Sequence, residues 1–307
     1  MSKSEKESIT SSSQRRILTP KELIKIKDLF VVAKGVVEGF TAGHHKSSFK
    51  GFSLEFAEYR KYVPGDEIKH IDWKIFARTN KYFVKLFEAE TNMRVFIALD
   101  SSASMGFKGF AGYSKLEYAK RLAAAFTFLV AKQKDLIGLV TYNEEVVNFI
   151  PSRNGLKHTQ NIIDRLTNLS PVGKTNIFNS LKSLSDRLKR RSLIVIISDL
   201  FDNVESLLRL VKTLRHARHE IMVFHVLDND EISFPYKRTT DFVDNESSYS
   251  LTVDPIALRE EYLQAIDVFR NHLKMQLNKY DIPYVFANTL IPFEYVLSQY
   301  LSKRKSI

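Results

Sequence analysis

Apolar runs just long enough for a strand alternate with stretches of helical periodicity over the last two-thirds of this chain. That alternation restricts the fold more than any other feature. Val95–Leu99 is an unbroken apolar run closed by Asp100, and Leu193–Ser198 is another. A strand covered on both faces reads this way, because neither side meets water. Leu136–Tyr142, Ile221–Leu227 and Pro283–Ala287 supply further strands, and residues 115–134, 157–169, 176–189, 203–217, 256–279 and 291–302 read as helices. Strands separated by helices of about a dozen residues or more form parallel βαβ units with helices on the sheet faces. The expected fold is α/β, a doubly wound, mostly parallel sheet. Val146–Ile150 follows Leu136–Tyr142 across the turn Asn143-Glu144-Glu145 and pairs with it directly. Residues 231–253, with Phe234-Pro235, Phe242-Val243 and Tyr249-Ser250-Leu251, break the rhythm and read as a β-hairpin excursion.

Ahead of residue 91 the texture differs. Residues 1–17 are serine-rich and charged, with almost nothing to bury, and read as a disordered tail. Residues 18–90 read as a helix and then a small β-rich N-terminal extension. Thr19-Pro20 marks a helix start, and Leu23, Ile26, Phe30, Val31 and Val37 keep helical spacing up to Gly39. Short aromatic runs punctuated by Gly51 and by the turn sequence Pro64-Gly65-Asp66 follow. Residues 91–303 then make the α/β domain.

Composition removes several classes. None of the 307 residues is cysteine, so a disulfide scaffold, a thiol nucleophile and cysteine-based zinc or iron–sulfur sites are excluded. The longest nearly apolar stretch, Leu122 to Ala131, falls well short of the ~20 residues of a membrane span. The opening MSKSEKESITSSSQRR has no apolar segment of a secretory leader, so a cytoplasmic location is expected. Lysine plus arginine (46) against aspartate plus glutamate (35) gives +11, which raises nucleic acid or an anionic surface as a partner. The only dense basic clusters, however, are Lys189-Arg190-Arg191 and Lys303-Arg304-Lys305. No helix-turn-helix, zinc-finger or RNA-recognition signature accompanies them.

Oxygen-bearing side chains fall at three places that this topology brings together. Asp100-Ser101-Ser102-Ala103-Ser104 directly follows the first buried strand, Thr175 lies in the Gly173-Lys174-Thr175-Asn176 loop, and Asp199 follows Leu193–Ser198. Ligands of open α/β sheets collect beyond the carboxyl ends of the strands, where the strand order reverses. Carboxylates and hydroxyls without sulfur suit a hard divalent cation such as Mg2+, or Mn2+, which keeps several waters and so leaves room for a partner's oxygen. Each residue also has a plainer reading: a helix cap or turn for Asp100 and the serines, a helix cap for Thr175, a turn for Asp199.

The cluster resembles the metal-ion-dependent adhesion site of von Willebrand factor type A domains. That resemblance implies Asp100, Ser102, Ser104, Thr175 and Asp199 as the residues surrounding one magnesium. The N-terminal block adds FSLEFAEYR (52–60), Tyr62-Val63-Pro64-Gly65-Asp66, His70-Ile71-Asp72-Trp73-Lys74, Ala77-Arg78, Val84-Lys85, Glu88 and Glu90. This string is similar to the block that precedes a type A domain in the domain-of-unknown-function-58 family, and the resemblance covers about residues 35–303. It implies a non-enzymatic, Mg2+-dependent protein-interaction module, a partner that supplies a carboxylate to the metal, and association with MoxR-type AAA+ ATPases.

Within the N-terminal block, Asp72 reads as an ion-pair partner of Arg78 or Arg60 that pins the extension to the domain. The competing reading makes Arg60, Asp72, Trp73 and Arg78 a docking surface. His44-His45 reads as a solvated loop. Two other functions stay open: a metal-dependent phosphoester hydrolase with Asp100 as nucleophile, which lacks a second aspartate at Ser102, and a nucleic-acid-binding protein. Gly173-Lys174-Thr175 resembles the end of a phosphate-binding loop, but Asn168 stands where that loop has its first glycine, so the chain is not itself expected to be an ATPase.

Overall fold

The computed structural model describes residues 19–43, 58–63, 71–86, 93–202, 204–244, 246 and 249–304. Pro64-Gly65-Asp66, His44-His45 and the tail 1–17 lie outside them. The chain opens with α1 (Pro20–Ile24) and α2 (Leu29–Gly43), then β1 (Glu58–Lys61), α3 (Trp73–Thr79) and β2 (Phe83–Leu86). The main sheet and its helices follow as β3 (Arg94–Asp100), α4 (Lys115–Lys132), β4 (Leu136–Tyr142), β5 (Val146–Arg153), α5 (Leu156–Thr167), α6 (Ile177–Arg187), β6 (Leu193–Ser198), α7 (Val204–His216) and β7 (Glu220–Leu227). The chain continues through α8 (Asn229–Ser233), β8 (Thr240–Val243), β9 (Ser250–Val253), α9 (Pro255–Asn278), β10 (Tyr284–Asn288) and α10 (Phe293–Arg304).

The main sheet has six strands in the order β10-β7-β6-β3-β4-β5. All neighbours run parallel except β5, which pairs antiparallel with β4 as its short turn requires. The order reverses at β3, which has β4 on one side and β6 on the other, so the sheet is doubly wound. Alternate residues of β3 feed two cores. Val95, Ile97 and Leu99 pack in one core with α2, α4, α5 and α10, while Phe96 and Ala98 pack in the other with α6, α7 and α9.

Three local features depart from the sequence reading. The N-terminal helix is two helices, because the Asp28 carboxylate accepts hydrogen bonds from the amides of Phe30 (2.9 Å) and Val31 (3.1 Å) and so starts α2 afresh. The apolar spacing runs on through the break, which hid it. Val32, Ala33, Val36 and Val37 of α2 are buried in the same core as α4, so this helix packs on the α/β body. The excursion at 231–253 contains a hairpin only at its far end, β8 with β9; its start lies in α8, whose capping box joins Asp228 to Glu231.

Candidate metal centre

The end of β3 and the end of β6 lie side by side at the reversal of strand order, and Asp100 and Ser198–Asp199 occupy those ends. Asp100 is fully buried. Its Oδ1 accepts a hydrogen bond from the Ser102 amide (2.9 Å), and its Oδ2 accepts one from the Ser198 hydroxyl (2.7 Å). Ser102 Oγ and Ser104 Oγ are 3.0 Å apart. Ser102 precedes a short 3-10 turn, Ala103–Gly106, but its hydroxyl makes no capping bond, which leaves it facing Ser104. Burial, and then the neighbouring Asp199 charge, push the Asp100 carboxyl up to about 7. No basic side chain among the described residues pairs with it.

The Thr175 loop is tied to this corner through backbone. The Ala103 amide donates to Gly173 O (2.8 Å), the Val172 amide to Ser101 O (2.9 Å), and Asn143 Nδ2 to Val172 O (3.0 Å). Gly173 has φ +79, a left-handed conformation that glycine adopts without strain. Thr175 is not the cap of α6; Asn176 is, its side chain accepting from the Asn179 amide. The Thr175 hydroxyl instead donates to Glu246 Oε1, at 3.4 Å, in the turn between β8 and β9.

Asp199 has a partner the sequence did not reveal. Its Oδ2 accepts from the Lys115 ammonium at 2.7 Å, and the same ammonium donates to Glu231 Oε1 at 2.7 Å. Its Oδ1 accepts a turn bond from the Phe201 amide (3.3 Å). Thus Asp100, Ser102 and Ser104 come together, the Thr175 loop is anchored beside them, and Asp199 is adjacent but shared with an ion pair. Ser198, Lys115, Glu231 and Glu246 are the residues missed.

Among the described residues no group of three or more His, Asp or Glu side chains is arranged to hold a metal. The donor set is instead one buried carboxylate with hydroxyls. Among the described residues, the donors to Asp100 are the neutral groups of Ser102 and Ser198. That set fits Mg2+ or Mn2+, which take oxygen ligands and retain waters.

The candidate docking quartet falls on β1 and α3. Arg60 lies on β1 opposite Val84 of β2. Asp72, buried, caps α3 by accepting from the amides of Lys74 (2.9 Å) and Ile75 (3.1 Å). Trp73 is 55% exposed and packs edge-on against Phe76, and Arg78 is exposed in the last turn of α3.

Among the described residues no helix is long and apolar enough to cross a membrane. Uncharacterized proteins of Mycobacterium bovis and Mycobacterium tuberculosis are 28% identical over 256 residues, covering 82% of this chain and 80% of theirs. Among solved structures, the conserved hypothetical protein BatB from Bacteroides thetaiotaomicron superposes with a TM-score of 0.47 at 18% identity, over 70% of this chain and 100% of that one. The SpRpn10 VWA domain gives a TM-score of 0.40 at 12% identity, over 68% and 95%. Residues 58–272 match the family described as Protein of unknown function DUF58, and the chain belongs to that family.

Proposed function

We propose that this protein is a non-enzymatic interaction module that captures a partner's carboxylate through a divalent cation, Mg2+ or Mn2+, and works with a MoxR-type AAA+ ATPase in assembling or remodelling other proteins. The observation that carries the reading is Asp100, a buried carboxylate that receives hydrogen bonds from Ser102 and Ser198 and no ion pair among the described residues. Burying such a charge unpaired is costly, and a cation relieves that cost.

Asp100, Ser102 and Ser104 would hold the ion, with Thr175 and Asp199 at its edge. When bound, the ion supplies positive charge and coordination positions open to a partner's oxygen. The protein's own residues orient the site: Ser198 and the Ser102 amide hold the Asp100 carboxylate, and the backbone bonds between the 101–103 and 172–173 segments anchor the loop that carries Thr175. Lys115 neutralises part of the Asp199 charge.

Calorimetric titration of Mg2+ and Mn2+ into the full chain, alongside capture of a purified MoxR-type ATPase, tests this. Wild type is expected to bind the cation and to retain the ATPase only with the cation present. Asp100→Ala, shown folded by circular dichroism, should do neither. An absence of cation binding by wild type would overturn the metal reading, and equal capture in chelator would overturn the cation-dependent docking.

A further inference from the structure

We infer that the hollow bounded by α8, α9 and the β8–β9 hairpin is a binding site for an arginine or lysine side chain of a partner protein. The hollow has a volume of about 580 Å³, within the usual range of small-ligand pockets. Five of its walls are the rings of Phe201, Phe234, Tyr236, Phe242 and Tyr262. They brace one another: Phe234 stacks on Tyr262 with ring centres 4.4 Å apart and on Phe242 at 5.6 Å, while Tyr236 meets Phe242 edge-on at 5.1 Å. The walls are therefore formed before any ligand arrives.

Charge selects the occupant. Asp230, Glu231 and Glu261 line the hollow, and among the described residues none that lines it is basic. On a chain of net charge +11 this is a local reversal of sign. Lys115 lies behind Glu231, but its ammonium is shared with Asp199, so the three charged groups together remain negative. Lys115 also shows how the surroundings treat a cation: its Nζ lies 4.8 Å from the centre of the Phe201 ring and 5.7 Å from that of Phe107, both of which line the hollow. A second basic side chain entering from solvent would lay its aliphatic stem along the rings and its charged end against Glu261 at the exposed rim, because Glu231 is already held by Lys115 and the Asp228 amide and Asp230 by the Phe110 amide. A bare metal ion would find too much apolar wall, and an acidic side chain would meet the net negative charge of the lining.

The site uses none of Asp100, Ser102 or Ser104, so it stands independently of the cation reading. The test uses the full chain with methyl labels reporting from Leu251, Val253, Leu258 and Ile266, which line the hollow. The probes are the peptide acetyl-Ala-Leu-Arg-Ala-amide and its citrulline counterpart, which keeps the shape and removes the charge. The arginine peptide should shift these methyl signals saturably, with the citrulline peptide about tenfold weaker. Glu261→Lys, at an exposed rim position where folding is not at stake, should weaken the arginine peptide by a similar factor. Asp100→Ala and chelator should leave binding unchanged, which separates this site from the cation site. Equal binding of the two peptides would replace the proposal with an uncharged apolar pocket, and no shift with either would overturn it outright.

Discussion

The Lys115 ammonium sits 2.7 Å from Asp199 Oδ2, and both side chains are only 1% exposed. With Glu231 completing the set at 2.7 Å, one cation ties the start of α4 to the end of β6 and to α8. Burial opposes the charge on Lys115, but Asp199 and Glu231 outweigh it and hold the ammonium pKa above its ordinary value. The residue assigned from sequence to a metal is therefore also half of a structural ion pair.

Removing the cation from that set strands two carboxylates. Lys115→Met is expected to lower unfolding free energy by about 3–5 kcal/mol, the usual cost of breaking a buried pair from one side. Urea titration of wild type and variant measures it. The same titration with Mg2+ should show the variant gaining more stability from the cation than wild type does, since Asp199 is then released to a bound ion. A variant as stable as wild type would show that the triad is not holding the three elements together.

Glu246 brings a carboxylate to Thr175 from the β8–β9 turn, 3.4 Å from its hydroxyl. This is the chemical group that the proposed partner would deliver, placed at the rim where it would be delivered. Glu246→Ala is expected to tighten cation-dependent partner binding by several-fold, while leaving stability within about 0.5 kcal/mol, because Glu246 is a half-buried turn residue outside the two cores. Surface plasmon resonance with the purified ATPase reads the first, and thermal unfolding the second. Weaker binding by the variant would instead make Glu246 part of the docking surface.

What was legible in the sequence follows from what leaves a pattern. Strands β3 and β6 are buried on both faces, so Val95–Leu99 and Leu193–Ser198 had to be continuous apolar runs, and the doubly wound sheet follows from them. Asp100, Ser102 and Ser104 were legible because a turn directly after such a strand has few places to point. Lys115 was not. A lysine in the first turn of a helix ordinarily projects into water, and only the fold of α8 over it, 116 residues later in the chain, buries it. Nor did the periodicity of α2 say which surface its apolar face would meet, since helical spacing encodes a face and not a partner.

Asp72 and Trp73 are neighbours with separable roles. Asp72 holds the start of α3 through two backbone amides, so Asp72→Ala should cost about 1 kcal/mol, the typical worth of an N-cap. Trp73, 55% exposed, has little to lose on truncation, and Trp73→Ala should change stability by less than about 0.5 kcal/mol. Chemical denaturation of both variants, with ATPase capture alongside, distinguishes them. Loss of capture by Trp73→Ala at unchanged stability would place docking on α3. Retained capture would remove Trp73 from the interface.

Two buried histidines work against the folded state as the pH falls. His225 is fully buried, with its Nδ1 2.7 Å from the Tyr284 hydroxyl, and burial drives its pKa down from 6.5 to about 3. His219, at the start of β7, has both ring nitrogens buried without a hydrogen-bond partner among the described residues, and burial lowers its pKa as well. A depressed imidazole pKa means that the folded state keeps the ring neutral while the unfolded chain takes up a proton. Stability is then complete above the unfolded value near 6.5 and falls as pH drops toward the folded value. His225 contributes a slope approaching about 1.4 kcal/mol per pH unit between 6.5 and about 3, and His219 adds in the same direction. Asp100, raised to about 7, contributes the opposite slope over the same range, so the histidine share is read as the difference between variant and wild type in urea unfolding at pH 7.5, 6.5 and 5.5. His225→Phe, which keeps a ring among Phe269, Tyr284 and Phe286, should lose less by roughly one group's share. An unchanged slope in the variant would mean that His225 takes up its proton inside the folded protein, and the buried neutral imidazole would be wrong.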